Sequence, residues 1–361
     1  MDSRLKLTIS EDRIEPRALE QIYGALRFPF LKKLAIMPDV HAGYDLPIGG
    51  VALLDDHVWP GAVGYDIGCG MCHVNTGYTL NELNDLVEVY DKIIKHTPLG
   101  FSTKDQPNYG FDKFVSASGF SALTDAVNFK ASIQTGTLGG GNHFIEIGVN
   151  EEGEVGITIH SGSRRPGWLI GDFYMRMTGN PINIKSEIAQ AYIKDMKWAI
   201  SFANLNRYQM LRDSLYAMGI EHKKVDTLCA HAINENHNHA EVTSEGILHR
   251  KGATQANKDQ YGVIPANMHS GVWITRGLGN DEFLSSASHG AGRKMSRRMA
   301  RKELTMSELV NQMENIITPP LNNLLDESPD AYKDITEVIA AQEGILIEVV
   351  DHFRPVLVVK G

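Results

Sequence analysis

Thirty-four glycines, gathered into a few short signatures, constrain this chain more than any other feature. They fall in DVHAGYDLPIGG, PGAVGYDIGCG, GTLGGGNH, HSGSRRPG and SHGAGR, beside apolar or β-branched runs such as GGVAL, HFIEIGV and EVGITIH. Runs of this kind between glycine clusters read as short strands that end in tight loops. Glycine lets backbone approach a ligand closely, so these loops suit a site better than a packed core. Helical segments lie between them. Thr79 with Glu82 resembles a capping box, and Leu83, Leu86, Val87, Tyr90 and Ile94 then form one apolar stripe. A longer helix is expected from about Ser186 to Met218, ended by Gly219, and another around residues 304–317. Strands and helices do not alternate as βαβ units require. The expected fold is therefore α+β: a single domain over residues 1–361, with central β-sheets, peripheral helices and loops converging on one site.

Hydrophobic residues at 42% and charged residues at 22% can bury a sizeable core. The first twenty residues are charged throughout and lack a signal-peptide core, and no apolar run approaches the roughly 18 residues a membrane span needs. A soluble, cytoplasmic protein without a membrane partner is expected. The net charge of −9 argues against a protein that coats nucleic acid indiscriminately. One local exception is RKMSRRMARK, with Arg293, Lys294, Arg297, Arg298, Arg301 and Lys302. It reads as a solvated helix face, or as a phosphate-binding surface where neighbouring motifs handle phosphate.

Three cysteines, Cys69, Cys72 and Cys229, cannot build a disulfide framework. The C-x-x-C spacing of GYDIGCGMC admits a redox pair or half of a zinc site, and Asp66 stands three residues ahead of Cys69. Other metal-capable side chains occupy similar surroundings: His143 in GGGNHFIEI, His160 in TIHSGSRR, His237 in NHNHAE and His289 in ASHGAGR. Singly, each histidine reads as a capped or core residue; their shared placement beside glycines or at likely strand ends favours a site. One carboxylate, one thiolate and several imidazoles suit a borderline divalent ion such as Mn, Zn, Fe or Co. Calcium and magnesium prefer harder ligands. A single thiolate can also bridge two ions. HGAGR carries a second meaning, since backbone N–H groups beside an imidazole form a nest for phosphate oxygens and histidine can attack phosphorus.

The stretches MPDVHAGYDLPIGG (37–50), PGAVGYDIGCGM (60–71), GTLGGGNHFIEI (136–147), IHSGSRRPG (159–167) and HNHAE (237–241) stand in this order. HRKGATQA (249–256), RGLGN with SHGAGRKMSR (276–297), AYKDITEVIAAQ (331–342) and VVKG (358–361) follow. Together they closely resemble the RtcB family of RNA ligases, also called tRNA-splicing ligases. The resemblance implies two Mn2+ ions bridged by Cys69, with Asp66 and His143 completing one ligand set and His160 and His237 the other. It implies that His289 is the guanylylated nucleophile and that Asp39 holds its second ring nitrogen. It places the guanine nucleotide of GTP among Asn142, His143, Phe144, Glu146, His237, Asn238, Pro265, Asn267, Met268, His289, Gly290, Ala291, Gly292 and Lys360. Glu146 and Lys360 are its candidates for reading guanine. Arg164, Arg293 and Arg297 would engage RNA phosphates.

The partners implied are GTP, RNA 3′-phosphate and 5′-hydroxyl ends, and an activating protein. His249, in HRKGA, does not match the family's nucleophile and is expected to line the site or serve structure. The family's usual Pro-Gly-Ser-Met-Gly loop reads PANMH at 265–269, and Val272 stands where a nucleotide-contacting serine is usual. With the compact length, that departure suggests a divergent repair paralogue. Alternatives are a ligase or capping enzyme for 3′-phosphate DNA ends, a binuclear metal phosphodiesterase with His289 as a ligand, and a non-catalytic RNA-end sensor.

Overall fold

The computed structural model describes residues 2–361, and its architecture is α+β. A seven-stranded antiparallel sheet runs in the order 261–265, 272–277, 347–360, 144–149, 154–161, 70–79, 233–236. A five-stranded sheet runs 5–7, 31–41, 48–54, 246–251, 238–243, antiparallel except for its first pair. A two-stranded ribbon, Ala253–Gln255 with Ser286–Ser288, delivers the HGAGR loop.

Alternation along the central strands explains how one sheet serves both a core and a site. In FIEI, Ile145 and Ile147 are fully buried in an apolar cluster with Met210, Leu211 and Leu215 of a long helix. Their neighbours Phe144 and Glu146 point to the opposite face, and there Val358 and Lys360 of the adjacent strand join them. The polar members of the run are thus forced into a single cavity by the packing of the apolar ones.

The long helix spans Glu187–Ala217, with Ser186 accepting a hydrogen bond from the Ala189 N–H and Gly219 at φ +88° beyond its end. Its buried face is not uniformly apolar. Asn206 and Arg207, both fully buried, lie on it among Ala203, Met210 and Leu211. Arg207 donates to Gly68 O and Ser161 O, each at 2.8 Å, and to the side chains of Asn234, Asn236 and Asn204. Asn206 binds the backbone of Gly136 and Thr137 and the carbonyl of Gly162. One helical turn therefore ties together four segments, at residues 68, 136–137, 161–162 and 234–236.

Two local expectations need correction. The Thr79–Glu82 capping box closes a single 3-10 turn, and Asp85 caps the α-helix proper, Leu86–His96. With the start moved, Val89 and Ile93 face the core while Val87 and Ile94 are exposed. The helix expected around 304–317 covers only Met306–Gln312, because Asn315 adopts a left-handed φ of +68°.

Among the described residues, no helix is long and apolar enough to cross a membrane. Arg207→Met should cost about 3 kcal/mol in urea unfolding, since it leaves several buried acceptors without a charged donor. An unchanged unfolding midpoint would contradict this role for the guanidinium.

Candidate functional site

The strand register gathers the glycine signatures at one end of the seven-stranded sheet. Gly70 pairs with both Ser161 and Asn236, while Phe144 pairs with His160 and with Lys360. Residues next to these pairs, Cys69, His143 and His237, consequently meet. Two ligand triads result, Asp66–Cys69–His143 and Cys69–His160–His237, with donor atoms in each lying within 4.8 Å of one another. Cys69 belongs to both. Its Sγ lies 3.5 Å from His143 Nε2 and 3.3 Å from His160 Nε2. Asp66 Oδ2 is 3.1 Å from His143 Nε2, and His237 Nε2 is 3.3 Å from His160 Nε2.

The outer hydrogen bonds indicate what these atoms are prepared to bind. His143 Nδ1–H donates to Leu138 O at 3.0 Å, and His160 Nδ1–H donates to Asn142 O at 3.1 Å. Those tautomers leave Nε2 of both rings with its lone pair directed at Cys69. Burial, with the nearby Asp66 charge, pushes the Cys69 thiol well up. Burial, reinforced by neighbouring imidazoles, holds His160 and His237 well below the usual histidine range. Burial also opposes ionisation of Asp66, but the hydrogen bond and charge of His143 outweigh it and lower its pKa. Lone pairs converging in a buried pocket with few protons to separate them fit one divalent ion in each triad. Cys72, by contrast, is buried in the apolar cluster with Val74 and Ile157 and has no part in either triad.

Beside the triads lies a cavity of about 270 Å³. Its walls include Asn142, Phe144, Glu146, Pro265, Asn267, Met268, His289, the Gly290–Gly292 loop and Lys360. His143, His237 and Asn238 do not line it; they lie on the triad side, where Asn238 donates to Asp66 O and accepts from the Gly252 N–H. His289 joins the two regions, its ring 4.7 Å from that of His237. Its Nδ1–H donates to Asp39 Oδ2 at 2.7 Å, and Asp39 is wholly buried. Gly292, at φ +74°, packs where a Cβ would lie 2.2 Å from Asp39 O, so only glycine brings the loop this close. The nest in HGAGR is narrower than expected, because the Ala291 N–H is taken by Pro265 O at 3.0 Å.

The far end of the cavity carries an unanticipated anion. Glu327 binds Lys360 at 2.7 Å, Arg293 at 3.2 Å, Arg297 more closely still, and the Tyr332 hydroxyl at 2.6 Å. Burial works against its charge, yet Lys360 and Arg297 keep its pKa below the ordinary carboxylate value. Asp326 takes Arg297 and Arg301. Half of the basic run is thus neutralised within the protein, leaving Lys294, Arg298 and Lys302 on the surface. Arg164 is likewise engaged, donating to Thr137 Oγ1 and Gly100 O. His249 is fully buried, its Nε2 accepting the Trp59 N–H at 2.9 Å, a structural placement.

Sequence reasoning missed Asp326, Glu327, Tyr332, Asn206 and Arg207. A legible signal existed for two of them: polar Asn206 and charged Arg207 interrupt the apolar face of the long helix. Glu146 is opposite in character to Glu327. It is buried with Oε1 unpartnered, and burial pushes its pKa up to about 8, Lys360 only partly opposing.

Residues 21–361 match the family described as tRNA-splicing ligase RtcB. RNA-splicing ligase RtcB of Escherichia coli (strain K12) is 35% identical, over 96% of this chain and 95% of that protein. The tRNA-splicing ligases RtcB of Nanoarchaeum equitans and Thermococcus kodakarensis are 28% and 29% identical, each over 96% of this chain and 92% of theirs. The chain belongs to the RtcB family.

Titrated with Mn2+ in a calorimeter, the protein is expected to take up two ions. Cys69→Ser should lose both, His237→Ala one, and Cys72→Ser neither. Glu146 predicts a pH effect in the metal-free protein. Its pKa is raised on folding, so its contribution is complete below about pH 4.5 and is lost as pH rises through about 8. Wild type should lose about 4 kcal/mol of stability across that window, and Glu146→Gln should remove this loss. Parallel pH profiles for the two proteins in urea unfolding would refute it.

Proposed function

We propose that the protein joins RNA 3′-phosphate ends, or 2′,3′-cyclic phosphate ends once opened, to 5′-hydroxyl ends at the expense of GTP. The observation that carries this reading is the His289–Asp39 pair at the junction of cavity and triads. With its proton fixed on Nδ1 by a buried carboxylate, His289 keeps the Nε2 lone pair available for attack on phosphorus. In the first step Nε2 bonds to the α-phosphorus of GTP and the bond to the bridging oxygen breaks, releasing pyrophosphate. An oxygen of the RNA 3′-phosphate then takes the GMP from His289, forming a 3′-to-5′ diphosphate. The 5′-hydroxyl attacks the RNA-side phosphorus, GMP leaves, and a phosphodiester remains. Mn2+ held by Asp66, Cys69, His143, His160 and His237 would supply charge neutralisation for the transferring phosphoryl group.

The remaining residues bind and orient. Glu146 offers an unpartnered buried oxygen to guanine N–H donors, and Lys360 offers an ammonium to a guanine acceptor. Asn142, Phe144, Pro265, Asn267 and Met268 enclose the nucleotide, and the glycine loop 290–292 faces its phosphates. His143, His237 and Asn238 act from the triad side. For RNA phosphates the reading retains Arg164 and the exposed edge of Arg297, whereas Arg293 serves the Glu327 cluster. The chain acts as one catalytic domain, aided by an activating protein, in the cytoplasm, a compartment suited to its three free thiols.

Protein incubated with Mn2+ and α-labelled GTP should retain label through denaturation and release it in acid. His289→Ala should abolish the adduct, and Asp39→Asn should slow its formation about 100-fold or more, by analogy with other carboxylates that orient a reactive imidazole. RNA with the stated ends should be joined. Absence of any adduct would sink the mechanism, an adduct without joining would point to capping or sensing, and joining only of DNA would transfer the substrate.

A further inference from the structure

Directly before the ligand Asp66 in the chain, Tyr65 belongs to a group of aromatic side chains that neither the cavity nor the core uses. Tyr65, immediately before Asp66, stacks on Trp168 with centroids 5.6 Å apart and planes 15° from parallel. Tyr44, from the loop that follows His41, meets Tyr65 edge-on at 5.4 Å. The Arg165 guanidinium lies 3.6 Å from the Trp168 ring centroid and extends the row. Among the described residues, none of the three rings belongs to, or packs against, any of the hydrophobic clusters of the fold. Tyr44 is 61% exposed, the opposite of what a structural aromatic of this size requires.

Their backbones, in contrast, are firmly held. Lys251 donates to Tyr44 O and to Gly61 O, anchoring the loop. Gly171 packs so closely on Tyr65 that a Cβ there would lie 3.2 Å from its Cα. The Arg165 N–H donates to Gln134 Oε1. Among the described residues, the Arg165 side chain makes no ion pair and no hydrogen bond, whereas Arg164, Arg293 and Arg297 all find protein acceptors. A stacked row of rings with the exposed Tyr44 at one end, Lys251 Nζ 5.9 Å from that ring's centroid, and the unpaired Arg165 cation at the other fits a ligand with flat apolar rings and a negative charge.

We infer that Tyr44, Tyr65, Trp168 and Arg165 form a stacking platform for unpaired bases beside the RNA terminus that is joined. The inference rests on the RNA-joining function proposed above and deepens it. Stacking accepts any base, so the platform holds an end without reading its sequence, and Arg165 answers a phosphate of the same strand. Because Tyr65 and Arg165 adjoin Asp66 and Arg164 in the chain, a strand lying on the platform leads its end towards the triads.

The test is fluorescence anisotropy with a short single-stranded RNA carrying a 3′-phosphate, compared with the same RNA made abasic next to that end. Wild type should bind the abasic strand about tenfold more weakly. Arg165→Gln and Tyr44→Ser, both at exposed side chains, should bind the intact strand several-fold more weakly and discriminate little between the two. Trp168→Leu should lose the discrimination altogether, and the two exposed variants decide the matter if it does not fold. Undiminished discrimination in all variants would overturn the platform while leaving the ligase reading intact. Failure of wild type to bind either RNA would overturn the RNA reading and the platform with it.

Discussion

The lone pairs that converge on Cys69 Sγ are the constraint from which the rest of the molecule follows. A buried thiol and three buried imidazoles gather beside the part-exposed Asp66 carboxylate, and backbone carbonyls hold the protons of two imidazoles on their outer nitrogens. Such a cluster is costly to assemble without cations, so it must be enforced by parts of the fold that do not depend on it. Arg207 and Asn206 supply that enforcement. From one turn of a long buried helix they reach the backbone of Gly68, Ser161, Gly162 and Thr137 and the side chain of Asn236, all around the ligands.

The cavity depends on the same sheet. Alternation sends Ile145 and Ile147 to the core, and by necessity sends Phe144 and Glu146 to the other face. His289 reaches this face from a different layer, carried by a two-stranded ribbon and held by Asp39 of the five-stranded sheet. The meeting of the two sheets is therefore what brings a candidate nucleophile to 4.7 Å from a candidate ligand ring. At the opposite end Glu327 gathers Lys360, Arg293 and Arg297 into one buried ionic cluster. It orders the C-terminal strand and spends part of the positive charge that the sequence displays.

How much of this was legible follows from which interactions are local. The α+β class, the long helix and its glycine stop were readable because periodicity and capping act within a few residues. The convergence of Asp66, Cys69, His143, His160 and His237 was suggested by family resemblance and by a glycine or a likely strand end beside each, but no spacing rule brings four separate segments together. The start of the helix after Thr79 was misjudged because two caps, Thr79 and Asp85, compete within seven residues and only the second heads an α-helix. Glu327 was invisible for a different reason. Its partners come from residues 293, 297, 332 and 360, so its importance exists only in three dimensions. The basic run misled in the same way, since the acids that answer it lie some thirty residues away in the chain.

If one thiolate is shared by two ions, their electrons must communicate through it. Electron paramagnetic resonance of the Mn2+-loaded protein measures that directly. The expected result is an exchange-coupled spectrum that collapses to isolated Mn2+ lines, or vanishes, in Cys69→Ser. Two uncoupled Mn2+ signals in the wild-type protein, unchanged by that substitution, would contradict the shared ligand at its centre.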